Sequence, residues 1–362
     1  MSADPPLALL AELTHRCPLR CAYCSNPLAL DPSSGEMDTG TWRRVLDQAA
    51  DMGILQVHFS GGEPTARKDL TDLVAHASGR GLYVNLITSG VLLSDELVAA
   101  LADAGLAHVQ LGFQDTDAAR GEWMSGYDGG HEKKLRAARM ITDAGLVLTV
   151  NVVVHRHNAV RVPEMIDMAV GLGAHRVEIA NVQYYGWGLH NRAALMPTRG
   201  QLERMTPIVE DARERLKGVI TIDYVIPDYY ANYPKSCMGG WARRFMNVTP
   251  AGKVLPCHAA ETIPGLAFDN VRDRSLLEIW EKGGAFARYR ATDWLPEGCR
   301  ECERKEIDWG GCRCQALALT GDAANMDPVC RYSPFNAEIR ALAEADAADG
   351  GQDLVYRSYR LS

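Results

Sequence analysis

THRCPLRCAYCSN, residues 14–26, follows the strand-like run Leu7–Leu13 and places Cys17, Cys21 and Cys24 in a single loop. Iron–sulfur clusters held by protein alone usually take four thiolates, and tetrahedral zinc takes four ligands. The loop supplies three, and the next cysteine in the chain is Cys237. Three thiolates on a four-position centre either borrow a distant ligand or leave one metal position open to a small molecule.

The loop heads a repeating pattern. Apolar or β-rich runs recur at Leu7–Leu13, Gln56–Phe59, Tyr83–Thr88, His108–Phe113, Val147–Val154 and Arg176–Asn181. Helical periodicity fills the gaps at Thr41–Met52, Asp69–Ser78, Ser94–Ala104, Glu132–Asp143 and Pro163–Leu172, and glycine closes many of these segments. Six such β-α units imply a parallel sheet with covering helices. A helix at Thr198–Lys217 and a strand-like Val219–Ile226 extend the pattern. A doubly wound sheet fits this order too, but the chemically unusual residues fall just after strands, where a β/α barrel places its site. The expected fold is therefore α/β, a partial (β/α)6 barrel over residues 1–227, open because six units are too few for eight. After Pro227 cysteine, glycine and tryptophan rise and periodicity weakens. Residues 228–335 read as a cysteine-rich extension that metal would staple, and 336–362 as a helix followed by a flexible tail.

Composition narrows the function classes. The chain has 362 residues, 47% of them hydrophobic, and a formal charge of −8, which disfavours a nucleic-acid partner. No apolar run approaches the roughly 18 residues that a membrane span needs. The start, MSADPPLALL, has no basic n-region and no long apolar stretch, so no export signal is expected. Ten cysteines in such a chain suit a reducing, cytoplasmic compartment, where short-spaced sets bind metal or do redox chemistry.

Gly61-Gly62-Glu63-Pro64 follows the second strand. Glycines there let the backbone approach a ligand, and Glu63 offers a carboxylate to a cation. Alone, the tetrapeptide reads equally as a strand-to-helix turn. Paired with Cys17-x3-Cys21-x2-Cys24 and the aromatic Tyr23 inside that loop, it resembles the radical S-adenosylmethionine (SAM) superfamily. The resemblance implies that Cys17, Cys21 and Cys24 hold a [4Fe–4S] cluster whose open iron chelates the methionine part of SAM. It also implies that Gly61, Gly62 and Glu63 hold the amino group of SAM, and that the reduced cluster cleaves SAM to a 5′-deoxyadenosyl radical. Ser89, in Thr88-Ser89-Gly90, and Asn151, in the fifth strand, are further candidates for SAM contacts. Gln114 and Asp115 end the fourth strand. Each of these also fits turn chemistry or a satisfied buried polar group. His155 and His157 have no partner at metal-ligand spacing and read as loop or capping residues. Asn247-Val-Thr matches a glycosylation pattern that has no meaning in the cytoplasm. No catalytic side chain is assigned.

The remaining seven cysteines lie between Cys237 and Cys330. Cys237, Gly252, Cys257 and Cys299-x2-Cys302 are similar to the SPASM extension of radical SAM enzymes, which holds two auxiliary iron–sulfur clusters. That pattern expects a cysteine where this chain has Asp308, and this chain adds Cys314 two residues after Cys312. By position in the pattern, Cys237, Cys257 and Cys312 belong to the first cluster and Cys299, Cys302 and Cys330 to the second. Cys314 can complete the first and Asp308 the second, although Asp308 also fits an exposed charge with water or substrate on the fourth iron. A zinc ribbon needs fewer cysteines than are present.

Three segments narrow the branch: VQLGFQD at 109–115, NVVVHRHN at 151–158, and EIANVQYYGWG at 178–188. They are similar to the PqqE family, the radical SAM/SPASM peptide cyclases of pyrroloquinoline quinone (PQQ) biosynthesis, and the likeness runs from Leu7 to about Phe335. The resemblance implies a precursor peptide substrate, PqqA, a peptide chaperone, PqqD, and an external, flavodoxin-like electron donor. It further implies a bond between a glutamate γ-carbon and a tyrosine ring carbon. Tyr184, Tyr185 and Trp187 fit either a peptide pocket or core packing. The alternatives are another SPASM peptide modifier, thioether-forming or sulfatase-maturing, or a multi-cluster electron carrier.

Overall fold

The computed structural model describes residues 4–350 and 353–357. In chain order its main elements are β1 (Ala8–Thr14), α1 (Thr39–Asp51), β2 (Gln56–Gly61), α2 (Leu70–Gly79) and β3 (Tyr83–Thr88). Then come α3 (Asp95–Asp103), β4 (His108–Phe113), α4 (Ala118–Ser125), α5 (Gly130–Asp143), β5 (Val147–Val154) and α6 (Val162–Gly171). Strands β6 (Arg176–Asn181), β7 (Thr221–Val225), β8 (Phe245–Val248) and β9 (Val254–Leu255) complete the sheet elements. Every strand expected from Leu7 to Ile226 is present, with ends shifted by a few residues. Helix α4 was not legible, because AARGEWMS is short and weakly periodic.

The chain forms two compact units, and the division falls inside β3. One unit takes the chain to Arg16, Ala29–Val84 and Ala231–Arg340; the other takes Cys17–Leu28, Asn85–Tyr230 and the chain from Ala341 onward. In the first unit β1 pairs in parallel with β2 on one side and β8 on the other. Strand β9 then pairs antiparallel with β8. Helix α1 begins at Asp38, whose carboxylate caps Thr41 N–H at 2.7 Å, and buries Trp42, Val45, Leu46 and Ala49 at helical spacing.

In the second unit β4, β5, β6 and β7 pair in parallel, each with its sequence neighbour. Among the described residues β7 and β9 are edges, so the strands form an open sheet, parallel except for β9, and not a closed barrel. Registers Gly112↔Asn151, Asn151↔Glu178 and Glu178↔Asp223 put polar side chains in one row. The alternate row, Leu111, Val150, Val152, Val177 and Ile179, is fully buried. This alternation decides between the two architectures the sequence permits. A doubly wound sheet is apolar on both faces, whereas a barrel-type sheet can turn a polar face to its site.

The extension after Pro227 is more structured than its composition suggests. Besides β8 and β9 it contains helices Leu276–Lys282, Gly284–Arg290 and Arg313–Thr320. Trp280 and Phe286 are fully buried and meet edge to face, with ring centroids 5.6 Å apart. A helix at Asn336–Asp349 matches the expected C-terminal one. Residues 358–362, the end of the expected tail, lie outside the described residues.

Candidate active site and metal centres

In the second unit the cysteine loop is held by backbone on either side of Cys21. Arg20 N–H donates to Ser125 O at 2.7 Å and Ala22 N–H to Met124 O at 3.2 Å, so the loop lies along the last turn of α4. The segment after β6 supports it from another side. Gly186 has φ +53°, and a Cβ there would stand 3.1 Å from Asn26 O and 3.5 Å from Cys24 O. Asn191 donates from Nδ2 to Ala22 O at 2.8 Å. The same amide pairs with the chain terminus: Nδ2 also donates to Val355 O, and Oδ1 accepts Val355 N–H, both at 2.8 Å. The buried Arg357 donates to Leu19 O at 2.9 Å. Residues 355–357 are thus packed on the cysteine loop, where the sequence suggested a loose tail.

Cys17, Cys21 and Cys24 are half-buried and none forms a disulfide. Gln114 Nε2 approaches Cys21 Sγ at 3.9 Å, and its Oε1 accepts from Lys134. Lys134 is only 2% exposed and also donates to Gly112 O at 2.8 Å. Burial pushes the Cys21 thiol up to about 11, and the Lys134 charge opposes that rise. Metal coordination favours the thiolate of such a thiol, and three cysteines in one loop fit a cluster with one iron left open.

The other fourth- and fifth-strand candidates divide. Asp115 is structural: its carboxylate takes Arg161 Nε at 2.6 Å and a second Arg161 nitrogen, a bidentate pair. His157 Nε2 bonds Ala194 O at 2.8 Å, and His155 packs on Tyr23 with ring centroids 5.9 Å apart. Burial holds His155 well below its ordinary range, which favours the neutral ring. Ser89 precedes Gly90, whose N–H donates to Thr88 Oγ1 at 3.0 Å. Asn151 lies on the polar row of β5, and its Oδ1 finds no hydrogen-bond partner among the described residues. Tyr184 is core, meeting Tyr229 edge to face at 4.9 Å. Trp187 and Tyr185 are half-buried.

In the first unit the two glycines serve the chain's own backbone. Gly61 has φ +119°, and a Cβ there would sit 2.3 Å from Thr14 O; at Gly62 it would sit 2.4 Å from Arg16 O. Gly62 N–H donates to Thr14 O at 2.6 Å and Glu63 N–H to Arg16 O at 2.8 Å. The approach that the glycines allow is therefore the end of β2 to the end of β1. Glu63 is fully buried, and its Oε1 accepts Thr65 N–H at 3.2 Å and Thr65 Oγ1–H at 2.6 Å. It caps the turn Pro64–Ala66, so the turn reading of this tetrapeptide holds as well. The strand ends are braced by Arg67, which donates to Leu13 O and Met37 O, each at 3.1 Å, and pairs with Asp69 at 2.7 Å.

All seven distal cysteines lie in the first unit. Cys237 exchanges hydrogen bonds with Cys257 and Cys312, and Cys314 with the same two, so four thiols close a ring. Those contacts hold Cys237 and Cys314 well above the ordinary thiol range and Cys257 and Cys312 well below it. A separate cavity is lined by Cys299, Cys302, Cys330 and Asp308. Asp308 is 8% exposed; its Oδ1 accepts Gly310 N–H at 3.2 Å and its Oδ2 accepts Arg304 Nε–H at 3.2 Å. Among the described residues no three His, Cys, Asp or Glu are placed to hold a single metal ion. A cluster makes a different demand, since its ligands surround several irons. The four-thiol ring and the cavity with three thiols and a carboxylate suit that demand.

Residues 11–169 match the Radical SAM superfamily and residues 237–303 the SPASM iron–sulfur cluster-binding domain. The PqqA peptide cyclase of Xanthomonas campestris pv. campestris (strain 8004) is 60% identical over 356 residues, which cover 98% of this chain and 95% of that protein. The chain belongs to the PqqA peptide cyclase family. It is accordingly an enzyme of the radical SAM class that uses SAM and iron–sulfur clusters. The PqqA peptide cyclase of Methylorubrum extorquens (strain ATCC 14718 / DSM 1338 / JCM 2805 / NCIMB 9133 / AM1) is 59% identical over 353 residues, 98% of this chain and 92% of that protein. In fold the chain is similar to Streptococcus suis SuiB bound to S-adenosylmethionine, with a TM-score of 0.72 at 20% identity, covering 91% of this chain and 78% of that one.

As a PqqA peptide cyclase family member, the chain places its sequence-predicted site residues in both units. Cys17, Cys21, Cys24, Ser89 and Asn151 belong to the second, whereas Gly61, Gly62, Glu63 and the distal ligands belong to the first. Sequence reasoning missed Lys134, Asn191 and Arg357. Each is an ordinary polar residue on a helix, turn or tail, and only its burial marks it: Asn191 and Arg357 bond the cysteine loop, and Lys134 bonds Gln114 beside it.

Proposed function

We propose that this chain cross-links a precursor peptide of the PqqA type, joining a glutamate γ-carbon to the tyrosine ring carbon beside the hydroxyl-bearing one, early in PQQ biosynthesis. The observation that carries the reading is the match to PqqA peptide cyclases at 58–60% identity over 98% of the chain. SAM bound with a reduced [4Fe–4S] cluster would supply a 5′-deoxyadenosyl radical able to take one hydrogen atom. Cys17, Cys21 and Cys24 would hold that cluster, with Gly61, Gly62, Glu63, Ser89 and Asn151 as the SAM contacts. The Oδ1 of Asn151, which has no hydrogen-bond partner among the described residues, supports its part in this set.

Joining two carbons removes two hydrogens from the peptide, and one hydrogen atom accounts for only half of that change. The second leaves as a proton and an electron, and the electron needs an acceptor. Cys237, Cys257, Cys312 and Cys314 would hold one auxiliary cluster, and Cys299, Cys302, Cys330 and Asp308 another, each [4Fe–4S] or [2Fe–2S]. A chaperone of the PqqD type would deliver the peptide, and a flavodoxin-like donor would reduce the first cluster. A reducing cytoplasm suits ten cysteines with free thiols. Among the described residues no helix is long and apolar enough to cross a membrane.

Mass spectrometry of PqqA incubated with the reduced holoenzyme, SAM and PqqD tests the reading. The expected product has lost two hydrogens, and fragmentation places the link between glutamate and tyrosine. An unchanged peptide alongside active SAM cleavage would sink it.

A further inference from the structure

Asp327 belongs to neither distal cysteine set by spacing, yet it touches both. It is 2% exposed. Its Oδ2 accepts Cys312 N–H at 2.7 Å, and its Oδ1 accepts Val329 N–H at 2.9 Å and Gln315 Nε2–H at 3.0 Å. Its backbone carbonyl accepts Cys330 N–H at 3.1 Å. The residue also lines the cavity bounded by Cys299, Cys302, Cys330 and Asp308. Gly311, just before Cys312, is shaped around it: φ is +79°, and a Cβ there would stand 2.3 Å from Asp327 Oδ2. One buried aspartate thus holds the amide of a first-set cysteine and walls the second-set cavity.

We propose that Asp327 is a positioning residue shared by the two distal cysteine sets, so that a change at its carboxylate is felt at both clusters. The proposal rests on the reading of two auxiliary clusters given above. Hydrogen bonds from N–H groups to a carboxylate are charge-assisted and set geometry firmly. Groups that orient metal ligands in this way commonly change metal retention about 10- to 100-fold when removed, and they tune cluster potentials. Arg304 offers the contrast. Its N–H meets Cys302 Sγ at 3.4 Å and its Nε meets Asp308, both in the second set.

The test uses the full-length chain with Cys17, Cys21 and Cys24 replaced by alanine, loaded with iron and sulfide. EPR-monitored redox titration and iron retention against a chelator are followed for this parent, Asp327→Asn and Arg304→Gln. Asp327→Asn is expected to shift both auxiliary signals and to weaken iron retention about tenfold or more at both. Arg304→Gln is expected to move the second-set signal alone. If Asp327→Asn alters one signal or neither, the shared role is wrong. Fewer than two signals in the parent would overturn the two-cluster reading, and the proposal with it. Should Asp327→Asn yield no folded protein, Gln315→Leu, which removes one donor to the same carboxylate, decides: smaller changes at both signals uphold the role, and any other pattern ends it.

Discussion

Glu63 and Asp308 are both buried carboxylates with a local partner that explains their burial, and both were singled out for a ligand. For Glu63 the two roles separate by substitution. Glutamine keeps an oxygen able to accept from Thr65 N–H and Thr65 Oγ1, so Glu63→Gln should retain the Pro64–Ala66 turn. It removes the charge that would meet an ammonium, a loss of about 2–5 kcal/mol in comparable buried pairs. SAM binding by titration calorimetry should therefore weaken well beyond tenfold with an unchanged melting temperature; equal affinity would assign Glu63 to the turn alone. Asp308 is tested in the same spirit. Its carboxylate already meets Arg304 and Gly310 N–H, yet it lines the cavity that three cysteines share. Asp308→Cys should keep a cluster with a shifted potential, because thiolate is a softer donor than carboxylate. Asp308→Ala should lose iron more readily, and a spectrum and iron content identical to the parent's would exclude ligation.

At the level of elements, the cysteine loop owes its shape to neighbours distant in sequence. The end of α4 and the 186–191 segment each hold one or more of its backbone groups. Asn191 concentrates this bracing, since one amide side chain serves Ala22 O, Val355 O and Val355 N–H. Asn191→Leu leaves those groups without their partner in a buried place, at about 1–3 kcal/mol for each group left unsatisfied. Hydrogen exchange should then speed up at residues 20–24 and 355–357 while β4 and β5 keep their protection. Uniform acceleration would show a global loss of stability instead. Helix α4 itself was invisible in the sequence because eight residues with few apolar positions carry no clear period. Strands β4 to β6 were legible almost to the residue, because each is a run of alternating or fully apolar positions bounded by turn residues.

On the scale of the whole molecule, the cysteines of the first loop and the seven distal ones belong to different compact units. Metal loading of the distal sets should then survive loss of the first loop. Replacing Cys17, Cys21 and Cys24 together with alanine should abolish 5′-deoxyadenosine formation and lower iron by about one cluster's share, with the auxiliary EPR signals retained. Undiminished SAM cleavage would remove the loop from the active site. By itself the sequence determined the order of the strands and of most of the helices, and the loop of three cysteines, because periodicity and short cysteine spacing are local properties of a chain; the division of the distal seven came from the family resemblance. It favoured a barrel-type over a doubly wound sheet only through the place of its unusual residues just after strands, an indirect sign. That choice rests on which side chains share a face, and the row Gly112, Asn151, Glu178 and Asp223 exists only through strand register. The sequence did not show that Gln114 stands 3.9 Å from Cys21, that four distal thiols close a ring, or that Asp327 reaches two cysteine sets. Most of those relations join residues 15 to 93 positions apart, and a buried polar group acquires its partners only when the tertiary fold removes water and brings them within hydrogen-bond reach.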